Sequence, residues 1–477
     1  MKRRYILPGG ILLAFATAAA LCCTPHAQAT ELLVSNNNDS GPGSLRQAVL
    51  DNNSLGGGNT ITFSNVVAGA ITLTNGELLI AKDVTLLGPG PRTLAVDGNA
   101  ATRVFHVTNA AHVSVSGLAI TNGKVSGSYP GNAGGGICVD TSTLTLSNCS
   151  VSGNNGGGGS GGGIFNDHSS LTLVNCTVSH NQVTNSGGGI YSYGYAGNAT
   201  LTVIGCTFSS NTVSGSGNIG GAIESDGSFG SATLLVSNST FSGNVASMGG
   251  AIFITGSSGT GPSTLIVRAS TFAGNSSSGD GSAVYFIGQS CDIRLGNTIL
   301  QSAVGVTLVL VSGSFISDGY NLSNDGGGGL LTKPTDQINT DPLLDNLADN
   351  GGPTLTHALL PGSPALDRGN SFGLTTDQRG EPRPFDFASI TNAAGGDGSD
   401  IGAFEVGSPK LNLQQLGNSA VLSWPYYYTN LTLQSSTNLG SSNNWVNASG
   451  SAAIVGNQYR QTNSPIAGTK FYRLRGN

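Results

Sequence analysis

"LTLSNCSVSGN" spans Leu144–Asn154, and close copies follow it as "LTLVNCTVSHN" at Leu171–Asn181, "LTVIGCTFSSN" at Leu201–Asn211, "LLVSNSTFSGN" at Leu234–Asn244 and "LIVRASTFAGN" at Leu265–Asn275. The closing Asn residues fall at 154, 181, 211, 244 and 275, so the period drifts between 27 and 33. A second signature keeps the same register: "GGGI" ends at Ile137, Ile164 and Ile190, "GGAI" at Ile223 and Ile252, and "GSAV" at Val284. Self-similarity at such a period is the mark of a solenoid. Leu144 and Leu146 alternate with Thr145 and Ser147, a period of two that makes the element a strand and excludes the helical repeats. Three short strands per unit, around "TLTL", "CTF" and "GGAI", are separated by Gly, Asn and Ser turns. Stacking such units about 4.8 Å apart sets each strand parallel to its copy in the next coil.

The expected fold is therefore all-β: a right-handed, single-stranded parallel β-helix of about ten coils. Leu144, Leu171, Leu201, Leu234 and Leu265 should form one inward column, and Leu146, Leu173, Val203, Val236 and Val267 a second. Val151, Val178, Phe208, Phe241 and Phe272 should form a third. The repeated Asn sits where the chain bends, where its amide can bond along the axis and its backbone can adopt left-handed angles. Alternation upstream in "DVTLLGPGPRTLAVDG" and "HVSVSGLAITNG" places the coils from Ile61 to about Leu331. An exposed terminal coil needs a cap. "GSLRQAVLDNN" supplies one, because Ser44 and Gln47 make a capping box and Leu45, Ala48 and Val49 an apolar stripe.

Composition bounds the rest. Lys2, Arg3 and Arg4, the apolar run "ILLAFATAAALCC" and the Ala27–Ala29 Ala-x-Ala site read as a secretory signal peptide over residues 1–29. The position a lipobox needs small holds Leu21 or Cys22, so a lipoprotein signal is rejected. No later stretch reaches the roughly 18 apolar residues of a membrane helix. The chain is expected to be secreted, extracellular or loosely associated with the cell surface. Loss of those three cations leaves 16 Lys+Arg against 25 Asp+Glu, and none of the cations lies between Lys124 and Arg268. A nucleic-acid partner is excluded on that ground. Five cysteines remain in the mature chain (Cys138, Cys149, Cys176, Cys206 and Cys291), too few and too odd for a disulfide scaffold.

The paired "GGAI" and "FSGN" segments resemble the GGAI and FxxN motifs of polymorphic outer-membrane protein repeats. "NDSGPGSLRQAVLDNN" is similar to an N-terminal segment of secreted bacterial proteins of that type. "TDPLLDNLADNGGPTLTHALLPGSPALDRGN…TDQRGEPRP…GSDIGAFE" resembles the choice-of-anchor-type segment that follows such β-helices. Together these cover roughly residues 31–406. The resemblance implies a β-helix and an association with adhesion or exported passengers; it implies no particular activity. After Val406 the texture becomes short alternating strands with aromatics, similar to immunoglobulin- or fibronectin type III-like modules, with Trp424 and Trp445 expected in its core. The domain scheme is a signal peptide over 1–29, a cap over 30–60, coils over 61–331, a capping or anchor-associated segment over 332–406, and a small β-sandwich over 407–477.

Catalysis needs carboxylates in the right places. A polysaccharide lyase wants a Lys or Arg base and a cation to quench the enolate, and the regular coils have neither. A hydrolase wants two carboxylates about 5–9.5 Å apart. Asp140, Asp167, Tyr193 and Asp226 share one column, three residues after the Ile of each unit, and Glu224 lies about 7 Å from Asp226 along the strand face. Yet Asp140 and Asp167 suit Asx-turns, His168 should point away from Asp167 on a strand, and nothing local in the sequence desolvates a carboxyl. Ser160 and Ser371 sit in chance Gly-x-Ser-x-Gly matches, since neither follows an apolar strand. The Cys149, Cys176 and Cys206 column reads as buried small hydrophobes. "GGDGSDIG" partly fits a calcium nonapeptide, but Gly402 takes the apolar slot and no tandem copy follows, so no metal and no cofactor is expected.

The balance is against an enzyme. The expected role is non-catalytic adhesion or binding, with carbohydrate or a surface protein as partner and with Asp140, Asp167, Tyr191, Tyr193, Glu224 and Asp226 as the candidate contact residues. A glycoside hydrolase and a structural surface-layer component are the alternatives.

Overall fold

Each repeat contributes one strand to each of three stacked parallel sheets, because the apolar letters of one unit find their copies directly above and below. The computed structural model describes residues 29–127, 131–195, 197–215, 218–256, 262–417, 419–425, 431–439, 445–455, 458–463 and 469–476. The signal-peptide reading over residues 1–29 therefore lies almost wholly outside the described residues. The sheets hold 11, 13 and 9 strands, and together they make a parallel β-solenoid of about 9 turns, one fewer than expected.

The expected columns form. Leu144, Leu171, Leu201, Leu234 and Leu265 pair in unbroken register on the first sheet, as do Leu146, Leu173, Val203, Val236 and Val267. On the second sheet Val151, Val178, Phe208, Phe241 and Phe272 stack in the same way. The Phe rings lie nearly coplanar in their stack, 4.9 Å and 4.6 Å apart at interplanar angles of 7° and 3°. All of these side chains are buried. The solenoid starts ahead of Ile61: Glu31–Val34 already pairs in parallel with Asn59–Phe63. The helix Leu45–Ser54 follows that first strand, and it buries Leu45, Ala48 and Val49 over the end of the stack. Ser44 caps it by accepting from the Gln47 amide, whereas the Gln47 side chain turns to Asp51, so only half of the capping box forms.

The turn after the second sheet is built on Asn154, Asn181, Asn211, Asn244 and Asn275, each essentially inaccessible. Each Nδ2 in the series donates to the Oδ1 of the next Asn at 2.8–3.0 Å. Each also donates to a main-chain carbonyl of the preceding coil. The left-handed residue is not the Asn, as expected from the sequence, but the one before it: Gly153, His180, Ser210, Gly243 or Gly274. Freed from the bend, the amide points inward along the axis.

The turn before the second sheet carries Cys149, Cys176 and Cys206, and the same place is Ser239 and Ser270 in later coils. These thiols are more than apolar filler. Cys149 and Cys176 amides donate to the sulfur of the next coil, and Cys206 donates to Ser239 Oγ at 3.1 Å. The sulfurs in turn donate to Ser147, Val174 and Ile204 carbonyls, so Cys does here what Ser does two coils on. Burial raises the Cys138 thiol to about 12.

Residues 349–406 run as a strap across the outside of the second sheet. Thr207 Oγ1 donates to the Leu355 carbonyl, Thr240 Oγ1 to Gln378, and the Ala403 amide donates to Thr271 Oγ1. Motif letters distant in sequence converge in this strap: Glu405 accepts from Arg383 and from the Phe385 and Asp400 amides, while Asp400 accepts from the Asp367 and Val406 amides. Arg383 and Glu405 are wholly buried. Asp397, of the calcium-like stretch, accepts from the Ser371 and Ser399 amides. Beyond the strap, two antiparallel sheets of four and three strands share a core of Ala420, Leu422, Trp424 and Leu433. Trp445 departs from expectation, lying half-buried under the Arg473 guanidinium, 4.4 Å from its ring, rather than in that core.

Replacing Phe241 by Ala should cost about 3–5 kcal/mol, since a close-packed ring stack cannot collapse around the void. Asn211→Ala strands the buried amide of Asn181 and the carbonyl of Val178, at about 1–3 kcal/mol for each unsatisfied group. Urea denaturation of both variants tests this; a midpoint unchanged by Asn211→Ala would remove the ladder from the list of stabilising contacts.

Candidate functional site

The third sheet carries the candidate residues, and its outer face is unusual because part of it is covered. After each ladder Asn the chain runs on as a short outlying strand, Gln182–Val183, Thr212–Val213 and Val245–Met248, pairing with its copies. It then returns through a left-handed Gly to the Ile that begins the third sheet. A Cβ on Gly187 would come within 2.8 Å of Tyr191 Cβ, which explains why Gly holds that return. These excursions overhang the first outward position of each third-sheet strand: Cys138, Phe165, Tyr191, Glu224 and Phe253, which pair in one column.

The second outward column holds Asp140, Asp167, Tyr193 and Asp226 in the expected register. Tyr191 Oη donates to Asp226 Oδ2 at 3.0 Å across the two columns. The other oxygen of Asp226 accepts from the Ser228 amide at 2.8 Å, so the Asx-turn falls at Asp226. Asp140 and Asp167 do not make that turn. Their main-chain carbonyls accept from the hydroxyls of Ser142 and Ser169 instead. Among the described residues the Asp140 carboxylate accepts only from Thr141 Oγ1, and it is half-buried. Asp167 is buried and ion-paired with His168, contrary to the expected opposite faces. His168 is left-handed, with φ of 46°, so the strand ends there and its ring folds back over the carboxylate.

Glu224 overturns the expectation that nothing desolvates a carboxyl. It is 3% exposed, and its Oε2 has no hydrogen-bond partner. Burial first, and then the neighbouring charge of Asp226, hold its pKa well above the carboxylate range against a hydrogen bond from Ser186. Glu224 is thus a neutral acid, sealed beneath the excursions. Burial also raises the Tyr191 phenol, with Glu224 and Asp226 adding to the effect.

Outside this sealed pair lies an aromatic surface. Tyr193 and Tyr195 rings stack 5.7 Å apart at 9°, and Phe229 sets its edge on Tyr195 at 5.2 Å. Phe165 and Tyr191 pack beneath, 5.4 Å apart. Tyr195 is 43% and Phe229 60% exposed. Phe229 escaped the reading of the sequence, whereas His168 was weighed there and only its orientation differs. The signal for Phe229 was a large aromatic in the turn "DGSFG", where a left-handed backbone throws the ring outward. Among the described residues no cluster of three or more metal-ligating side chains occurs. Nor is there among them a helix long and apolar enough to cross a membrane. No protein family and no curated protein matches the chain.

Because native Glu224 keeps a proton that the unfolded chain releases near its ordinary value of 4.5, folding stability from this group falls as pH rises above that value. Glu224→Gln removes the titrating proton while keeping the shape. The melting temperature of Glu224→Gln should therefore exceed that of the unaltered chain by a margin that grows as pH rises from about 4.5 toward neutrality. Parallel melting curves across that range would sink the assignment of a neutral Glu224.

Proposed function

We propose that this chain is an exported, non-catalytic carbohydrate-binding protein that works in adhesion. The observation that carries the proposal is the stacked pair of half-buried Tyr193 and exposed Tyr195, with exposed Phe229 at its edge. A protein surface rarely leaves contiguous rings in water without a partner, and aromatic faces offer flat apolar area with a polar rim suited to sugar rings. Asp167 and Asp226 flank Tyr193 in its column, and the coils from 125 to 267 hold no Lys or Arg. That field disfavours polyuronates and sulfated glycans and favours neutral or amino-sugar chains. The paired GGAI and FxxN repeats and the N-terminal leader pattern support a surface role of the polymorphic outer-membrane repeat type.

The sealed state of Glu224 argues against the hydrolase. A glycosidase acid must reach the glycosidic oxygen while a second carboxylate faces the same bond. Glu224 is covered, Asp226 is held by Tyr191 and Ser228, and Asp167 by His168.

Incubation with a panel of neutral, amino-sugar and anionic polysaccharides, following both retention and reducing ends, tests this. Retention of neutral or amino-sugar chains without product is expected, and Tyr195→Ala or Phe229→Ala should each weaken it about tenfold, the equivalent of about 1.4 kcal/mol. Product release abolished by Asp226→Asn or Asp167→Asn would replace adhesion with hydrolysis; neither retention nor release would leave a structural surface component ahead.

A further inference from the structure

A second surface lies on a different face, where the strap stops. Along the second sheet two columns run from coil to coil: a turn residue (Asn148, Asn175, Gly205, Asn238, Ala269 and Asn297) and, two residues later, Ser150, Thr177, Thr207, Thr240, Thr271 and Ile299, hydroxyl-bearing in all but the last. Where the strap covers them, Thr207, Asn238 and Asn297 bind its main chain and Thr240 binds the Gln378 side chain. Thr207 Oγ1 donates to the Leu355 carbonyl at 2.6 Å, and Thr354 Oγ1 to the Gly205 carbonyl at 2.8 Å. Asn238 Nδ2 donates to the Thr376 carbonyl at 2.9 Å, and Asn297 Nδ2 to the Asp400 carbonyl at 3.0 Å. The same columns continue uncovered at Asn148, Ser150, Asn175 and Thr177, whose side chains have no hydrogen-bond partner among the described residues.

These uncovered coils floor a groove of about 630 Å³. One wall is the Gly90–Thr93 turn of an earlier coil, and the other is the strap where it arrives at Gly352–Leu355. Arg92 and Asp349 face each other over the mouth at 3.7 Å, both well exposed. Two coils of open floor span roughly 10 Å along the axis, enough for one extended chain with its side chains.

We propose that this groove binds an extended polypeptide segment of a partner protein, taken up by its main-chain carbonyls as the strap is. The occupant is a peptide because these columns reach strap main chain at Leu355, Thr376, Asp400 and Ala403, beside the Gln378 and Arg383 side chains, and the groove continues that interface without a break. Small uncharged side chains suit the floor, and the Arg92–Asp349 pair can close over the bound chain. This is the geometry by which extended peptides extend existing strands and straps. It is independent of the aromatic surface on the third sheet.

The test uses the full chain panned against a displayed library of random short peptides, with enriched peptides then measured by fluorescence anisotropy. The variant is Asn148→Gly with Asn175→Gly, a change the turn tolerates because Gly205 stands in the same column with φ of 66°. Thr177→Val serves as a second variant. Enriched peptides should bind the double Gly variant about tenfold more weakly, as expected for two lost side-chain hydrogen bonds. Tyr195→Ala should leave them unaffected, and replacing the contacting peptide carbonyls by thiocarbonyls, which accept more weakly, should weaken binding. Failure of any peptide to enrich, equal binding to the double variant, or displacement by oligosaccharides would overturn the proposal.

Discussion

The buried Asn ladder is the constraint on which the rest of the solenoid depends. Each amide joins two neighbouring coils and one main-chain carbonyl, so every Asn position must stay in register with the ones above and below. Once that register holds, the Leu, Val and Phe columns align and the rings stack within van der Waals distance. An apolar residue in the ladder would leave buried donors and acceptors without partners, and low dielectric makes such orphans costly. The ladder also explains the left-handed residue just ahead of it. That residue takes the bend, which lets the amide point inward.

A chain with so few charges and no disulfide among its described cysteines stabilises its length by other means. The helix Leu45–Ser54 covers one end of the stack, and the strap runs along one side. The strap is held by a small apolar cluster in which Ala358, Leu359, Ala365, Ile401, Phe404 and Val406 pack with Ile299 and Leu322, by hydrogen bonds from the coils, and by one buried knot around Arg383 and Glu405. A buried ion pair of this kind adds little net stability over an apolar substitute, but removal of one partner leaves an unpaired charge. Its contribution is to specify one path for the strap. That path leaves part of the second sheet open, and the open part is the peptide groove.

The third sheet shows how one excursion produces two opposite environments. Where the outlying strands overhang, Tyr191 and Glu224 lose water and Glu224 stays protonated. Where they end, Tyr193, Tyr195 and Phe229 face solvent. The separation matters for chemistry because an acid with a raised pKa is useful only if substrate can reach it. Here the acid and the reachable surface lie in different columns. The first column supports the second from beneath.

Much of this was legible in the sequence, and the reason is the repeat. Period-two alternation and recurring Leu, Phe and Asn letters specify strands, inward columns and the register of Asp140, Asp167, Tyr193 and Asp226, because stacking equates sequence position with spatial position. The same regularity hid what lies between the repeats. Excursions of variable length carry no pattern, so the overhang that desolvates Glu224 was invisible, as was the left-handed His168 that returns its ring to Asp167. The strap was recognisable as a distinct stretch, but its contacts join residues more than a hundred positions apart, such as Thr207 with Leu355 and Asn297 with Asp400. Local sequence determines what repeats with the coil; burial, pKa and the open groove are decided only when segments without a period fold back onto it.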